Sequence, residues 1–120
     1  MTFPAIFAII VGIGMIVQWA MSYFNHQIPE LKTEPLRIAF HLAGEMLTAA
    51  LLVLSGMGLL AAHAWAGPLY LLAAGMLLYT VIVSPGYFAQ KGQTAWLVIF
   101  GVLALLTVIS AVMVAFEWTG

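Results

Sequence analysis

The sequence of 120 residues contains no cysteine and very little charge. Without cysteine there is no disulfide, no thiolate nucleophile, no cysteine-ligated zinc and no iron–sulfur cluster. Only 6% of the residues are Asp, Glu, Lys or Arg, and the formal net charge is −1. Three basic residues form no surface for a phosphate backbone, so we expect no nucleic-acid partner.

Apolar side chains, in contrast, make up 65% of the sequence. Soluble domains contain about 45–50% apolar and about 25% charged residues, so this chain has too little polar surface to cover a globule in water. The mean hydropathy of +1.15 agrees. The composition therefore predicts an integral membrane protein whose first partner is the lipid bilayer.

Four apolar runs are each long enough for the roughly 20 helical residues that cross a hydrocarbon layer about 30 Å thick. Short connections favour neighbours that run up and down, so we predict an all-α four-helix up-down bundle formed by a single domain, residues 1–120. The hydrophilic stretch 25–37 is predicted to be a loop. The predicted spans are residues 3–24, 38–64, 69–90 and 94–116.

Pro85-Gly86 lies about one turn from the end of the third predicted span. Proline removes one backbone hydrogen bond and clashes with the preceding turn. The sequence therefore predicts a kink or an early end of the helix at this point.

The basic residues indicate an orientation. Lys32 and Arg37 lie in the first connection and Lys91 lies in the third, whereas the second connection and the tails contain none. Because cytoplasmic loops are enriched in Lys and Arg, we predict that both termini face the non-cytoplasmic side.

Glu45 is the one charged residue that lies deep within a predicted span. It stands about nine residues into the second helix, roughly 13 Å along the axis, too deep for a short acidic side chain to reach water. An ionised residue at a helix centre costs about 2.5–3.5 kcal/mol to insert, and somewhat less away from the centre. We therefore expect its side chain to face polar partners inside the bundle.

The polar residues near Glu45 predict a pocket in the inner leaflet. His41, Glu45, Thr48, Leu52 and Ser55 are spaced four, three, four and three apart, so they share one helical face. Other helices add further candidates. The predicted ligand or proton site consists of Glu45, His41, Gln18, Tyr79, Ser84 and Tyr87.

Two interpretations of this cluster remain open. In the first, Glu45 is a neutral acid or pairs with His41, and it only ties neighbouring helices together. In the second, the carboxyl and imidazole bind a proton, a cation or a small ligand. His41 and Glu45 have the i, i+4 spacing of two metal ligands, but the sequence offers no others to complete the shell, so we predict neither a metal nor a cofactor.

Among functions, we favour the handling of a small solute or ion by a carrier or channel. Four helices enclose little volume, so a pathway is expected to need a homodimer. Two alternatives stay open, a membrane-embedded lipid-ligand binder or enzyme and an accessory subunit of a larger membrane complex. The chain has no nucleophile motif, which weighs against the enzyme. Gly56 and Gly58, late in the second helix, have no evident role.

Overall fold

The computed structural model describes residues 2–90 and 92–119, without the side chains of residues 87, 88, 118 and 119. These residues form helices and connecting turns, with no strand in the described part. Four helices are long and apolar enough to cross a membrane. The helices are α1 (Thr2–Phe24), α2 (Glu30–Thr33), α3 (Pro35–Leu60), α4 (Ala66–Val83), α5 (Pro85–Gln90) and α6 (Thr94–Thr119).

The second long helix, α3, begins and ends earlier than the predicted span 38–64. Pro35 occupies its first turn, where the missing N–H would have no helical partner. At the other end Ala62 adopts a left-handed φ of 59°, and the His63 N–H donates to the Gly58 carbonyl at 2.9 Å. This pattern is a Schellman motif, which closes the helix.

The prediction that residues 25–37 form a loop is wrong in part, because this stretch contains α2 and the first turn of α3. Arg37 pairs with Glu34 at 3.2 Å, and both side chains are exposed. Such an i, i+3 pair contributes only a few tenths of a kcal/mol. It nevertheless places polar side chains around the start of α3.

The third long helix also differs from its predicted bounds, since α4 begins at Ala66 and includes Gly67 and Pro68. The predicted break near Pro85-Gly86 is present, because α4 ends at Val83 and α5 starts at Pro85. Ser84 between them keeps helical angles, φ −60° and ψ −37°. The backbone therefore stays helical across Ser84, and Pro85 has no N–H to donate to the Val81 carbonyl.

Consecutive long helices pack side by side. α1 packs on α3, α3 on α4 and α4 on α6, while α1 and α6 touch less extensively. Gly12 lies against Ala49, whereas the earlier Ala5 lies against the later Gly56, so α1 and α3 run antiparallel. The buried core is centred on α4 and includes Leu52, Tyr70, Leu77 and Val114.

Glycine sets the distance between α1 and α3. A Cβ atom on Gly12 would lie 2.8 Å from the Ala49 carbonyl oxygen, and one on Gly56 would lie 2.7 Å from the Ala5 carbonyl oxygen. Close backbone approach of this kind is the usual role of small residues between membrane helices. Gly58 has a different role, since its Cβ would lie 2.7 Å from the Trp65 ring. The structure thus accounts for both late glycines of α3.

We expect Gly12→Leu to destabilise the fold, because the new side chain must push α3 away from α1. Overpacking of this kind costs about 1–3 kcal/mol or more. The control is Gly14→Leu, since nothing lies within 4 Å of a Cβ at Gly14. Thermal unfolding in detergent measures both variants. An equal loss of melting temperature in the two would contradict the close approach.

Candidate ligand-binding site

Glu45 is buried in the described structure, with 5% of its surface exposed. Three other residues of the same α3 face, Thr48, Leu52 and Ser55, are buried too. His41, one turn earlier, is half exposed, with 47% of its side chain accessible. The polar face of α3 therefore points into the helix assembly at Glu45 and emerges at His41.

Three donor side chains surround the Glu45 carboxyl group. Nε2 of His41 lies 3.6 Å from Oε1 of Glu45, slightly beyond hydrogen-bond distance. Trp19 of α1 and Thr80 of α4 are its hydrogen-bonding neighbours. The carboxyl group is thus contacted from α1, α3 and α4.

The rings of Trp19 and His41 also touch. Their centroids are 5.6 Å apart and the planes meet at 71°, the edge-to-face arrangement that aromatic pairs prefer. This contact positions the indole between α1 and the imidazole. It leaves the far edge of His41 accessible from outside the helix assembly.

A cleft of about 350 Å³ lies between α3 and α4 beside Glu45. Phe40 and Tyr79 line it and are 79% and 70% exposed, so the cleft opens sideways on the outer surface of the helices. Gly44 also lines it, and a Cβ there would meet nothing within 4 Å. The full lining is Phe40, His41, Gly44, Glu45, Thr48, Met76, Tyr79, Thr80, Val83 and Ser84.

Four of the six predicted site residues line this cleft, namely Glu45, His41, Tyr79 and Ser84. Gln18 does not, since it is exposed on α1, and its neighbour Trp19 contacts Glu45 instead. The side chain of Tyr87 lies outside the described residues.

Sequence reasoning missed Trp19 and Thr80 as partners of Glu45. A Trp near the end of an apolar helix is usually assigned to the membrane boundary, where this residue type is common. A usable signal existed, since an indole N–H inside an apolar helix needs an acceptor. Thr80 was less recognisable, because threonine hydroxyls inside helices commonly bond their own backbone.

The remaining buried hydroxyls bond within their own helices. Thr48 donates to the Gly44 carbonyl at 2.8 Å, Ser55 to Leu52 at 3.2 Å and Thr107 to Leu103 at 2.6 Å. Ser110 donates to the Thr107 carbonyl at 2.9 Å, and its hydroxyl is the polar neighbour of the buried Tyr70. Among the described residues these hydroxyls bond within their own helices, and the buried Tyr70 hydroxyl has no hydrogen-bond partner there.

Apolar packing separates Ser55, Thr107 and Ser110 from Glu45. Leu52 and Leu77 are each 1% exposed and belong to the core that continues from the cleft. The described residues therefore show one polar cleft at one end of the helices and no continuous polar route to the other end.

The donor set at the cleft does not suit a metal ion. No group of three His, Asp or Glu side chains comes together within residues 2–90 and 92–119. His41 and Glu45 supply two ligands, fewer than the three that even an open catalytic zinc site uses.

A family described as a domain of unknown function, DUF8058, matches this chain over residues 1–119. No curated protein and no solved structure matches it. The family description contains no substrate or reaction, so the chemistry of the cleft is the available guide to function.

We expect Glu45→Leu to destabilise the protein, because the half-buried Trp19 N–H loses its acceptor. A buried donor without a partner costs about 1–3 kcal/mol. Glu45→Gln keeps an oxygen acceptor and is expected to lose less. Thermal unfolding in detergent measures both variants.

The matched control is the same Glu45→Leu substitution in a Trp19→Phe background, where no indole N–H is left unpaired. The melting temperature should then fall by less than in the natural background. Identical losses in both backgrounds would show that the Trp19–Glu45 contact contributes nothing to stability.

Proposed function

This chain belongs to the DUF8058 family, and we propose that it is a multi-pass membrane protein that binds a small amphiphilic molecule beside Glu45. Four helices are long and apolar enough to cross a bilayer. Their outward faces carry large apolar side chains such as Ile10, Leu72, Leu105 and Phe116, which suit contact with acyl chains. In the proposed arrangement these helices form an up-down bundle.

The cleft carries this proposal, because it joins a buried acid to an opening on the apolar surface. Its mouth, at Phe40 and Tyr79, would face acyl chains in a bilayer. A molecule with an apolar tail would reach it from within the membrane. Its polar end would contact the Glu45 carboxyl, and its tail would lie against Met76 and Val83.

The same geometry favours binding over conduction. The buried hydroxyls beyond Thr48 mostly bond their own helices, and Leu52 and Leu77 fill the space between them and the cleft. An ion would meet apolar side chains there and lose its hydration without replacement. A solute held in the cleft needs no such route.

Sidedness and oligomeric state stay predictions. The basic residues of the first connection, Lys32 and Arg37, would place the cleft in the cytoplasmic half of the bilayer. Lys91 lies outside the described residues. The cleft is formed within one chain by α3 and α4, so binding does not require the homodimer that a pathway would.

We expect at least one ten-carbon amphiphile to bind saturably to the protein in lipid nanodiscs. The probes are decyltrimethylammonium, decanol and decanoate, and isothermal titration calorimetry measures binding. Gly44→Leu should weaken binding by about tenfold or more, because the new side chain fills the cleft without a backbone clash.

The matched control is Gly75→Leu, which fills the separate groove between α4 and α6 and also meets no neighbouring atom. This variant should bind the probes as the natural protein does, and the heats given by empty nanodiscs are subtracted because the probes also partition into lipid. If all three probes give the same heats with the natural protein and with Gly44→Leu, the cleft is not a binding site.

A further inference from the structure

The charges around the cleft limit what it can bind. Glu45 is the only acid in the lining, and the lining contains neither Lys nor Arg. Facing the acid, α3 itself supplies His41 and α4 supplies Tyr79, whereas α1 supplies the uncharged Trp19. Among the described residues of α2, Glu30 and Lys32 carry charge but do not line the cleft. His41 is thus the one group there that can balance the carboxylate from inside the protein.

The contact between His41 and Glu45 is loose enough to be replaced. Its 3.6 Å separation leaves the pair without a good hydrogen bond. A carboxylate has about four lone-pair sites, and the three donor side chains occupy at most three of them. The half-exposed imidazole is also able to pass a proton to water.

The cleft favours a cation over other head groups. An anion would be repelled by the buried carboxylate, and a neutral alcohol brings no charge that could replace the imidazolium beside it. The exposed rings of Phe40 and Tyr79 at the mouth offer faces that attract an organic cation. The surrounding apolar side chains fit an alkyl or aryl substituent.

Resting on the proposed function, we infer that the cleft binds a lipophilic organic cation, such as an alkylammonium, in exchange for the proton on His41. The incoming cation takes the place beside the Glu45 carboxylate. The His41 imidazolium then loses its Nε2 proton to water as a neutral imidazole. Charge balances, because one positive charge enters as one leaves, and no other bond changes.

The experiment uses the same three ten-carbon probes with the protein in nanodiscs of zwitterionic lipid. Decyltrimethylammonium carries a fixed charge and no N–H, so any proton released on binding comes from the protein. Its affinity should exceed that of decanol by about tenfold or more, and decanoate should bind weakest. Glu45→Gln should abolish these differences in affinity among the three probes.

Isothermal titration calorimetry in buffers of different ionisation enthalpy gives the number of protons released for each cation that binds. We expect close to one proton released per cation at low pH and an affinity that rises with pH, because the proton competes with the cation. His41→Gln should remove the release, whereas the control His63→Gln, at an exposed site outside the cleft, should not.

The outcomes separate this inference from the proposed function. If no probe binds saturably, both fail. If decanol or decanoate binds as tightly as the ammonium probe, the cleft binds amphiphiles but does not select cations. Proton release that persists in His41→Gln, or that is absent from the natural protein, overturns the exchange.

Discussion

A carboxyl group buried among apolar helices is the constraint on which this structure depends. Removing a carboxylate from water is expensive unless hydrogen bonds and charge compensate it. Here the compensation comes from side chains on separate helices, Trp19 on α1 and Thr80 on α4, together with His41 on α3. Because no single helix supplies all of these contacts, the position of Glu45 is linked to the packing of three helices.

Glycine residues, which have no side chain, determine how closely these helices pack. Gly12 and Gly56 allow the backbones of α1 and α3 to approach closely, and this approach brings Trp19 to the level of His41 and Glu45. Gly44 has the opposite effect on the other side of α3, where it leaves space unfilled. Small residues thus produce both the tight α1–α3 contact and the open cleft between α3 and α4.

Much of the fold was predictable from composition and periodicity. The length of the apolar runs indicated four long helices, and proline chemistry indicated the break before Pro85. The burial of Glu45 followed from a charge within an apolar run, since the spacing of His41, Glu45 and Thr48 defines one helical face. These inferences need only one helix at a time.

Predicting the partners of Glu45 depends on how the helices pack against one another. Successive residues on a helix point about 100° apart, so placing Trp19 rather than Gln18 at the site corresponds to a rotation of α1 by about that angle. The rotation is fixed by contacts such as Gly12 with Ala49, which a single sequence does not disclose. The early end of α3 was missed for a local reason, because Ala62 takes a left-handed conformation that usually signals glycine.

The most direct measurement is the distance between the Trp19 indole nitrogen and the Glu45 carboxyl carbon in lipid bilayers. Solid-state NMR of protein with ¹⁵N-labelled tryptophan and ¹³C-labelled glutamate reports it, and a Glu45→Gln sample identifies the pair. We predict a dipolar coupling for about 4 Å or less, as a hydrogen bond requires. A spectrum with no coupling that depends on Glu45 would contradict it.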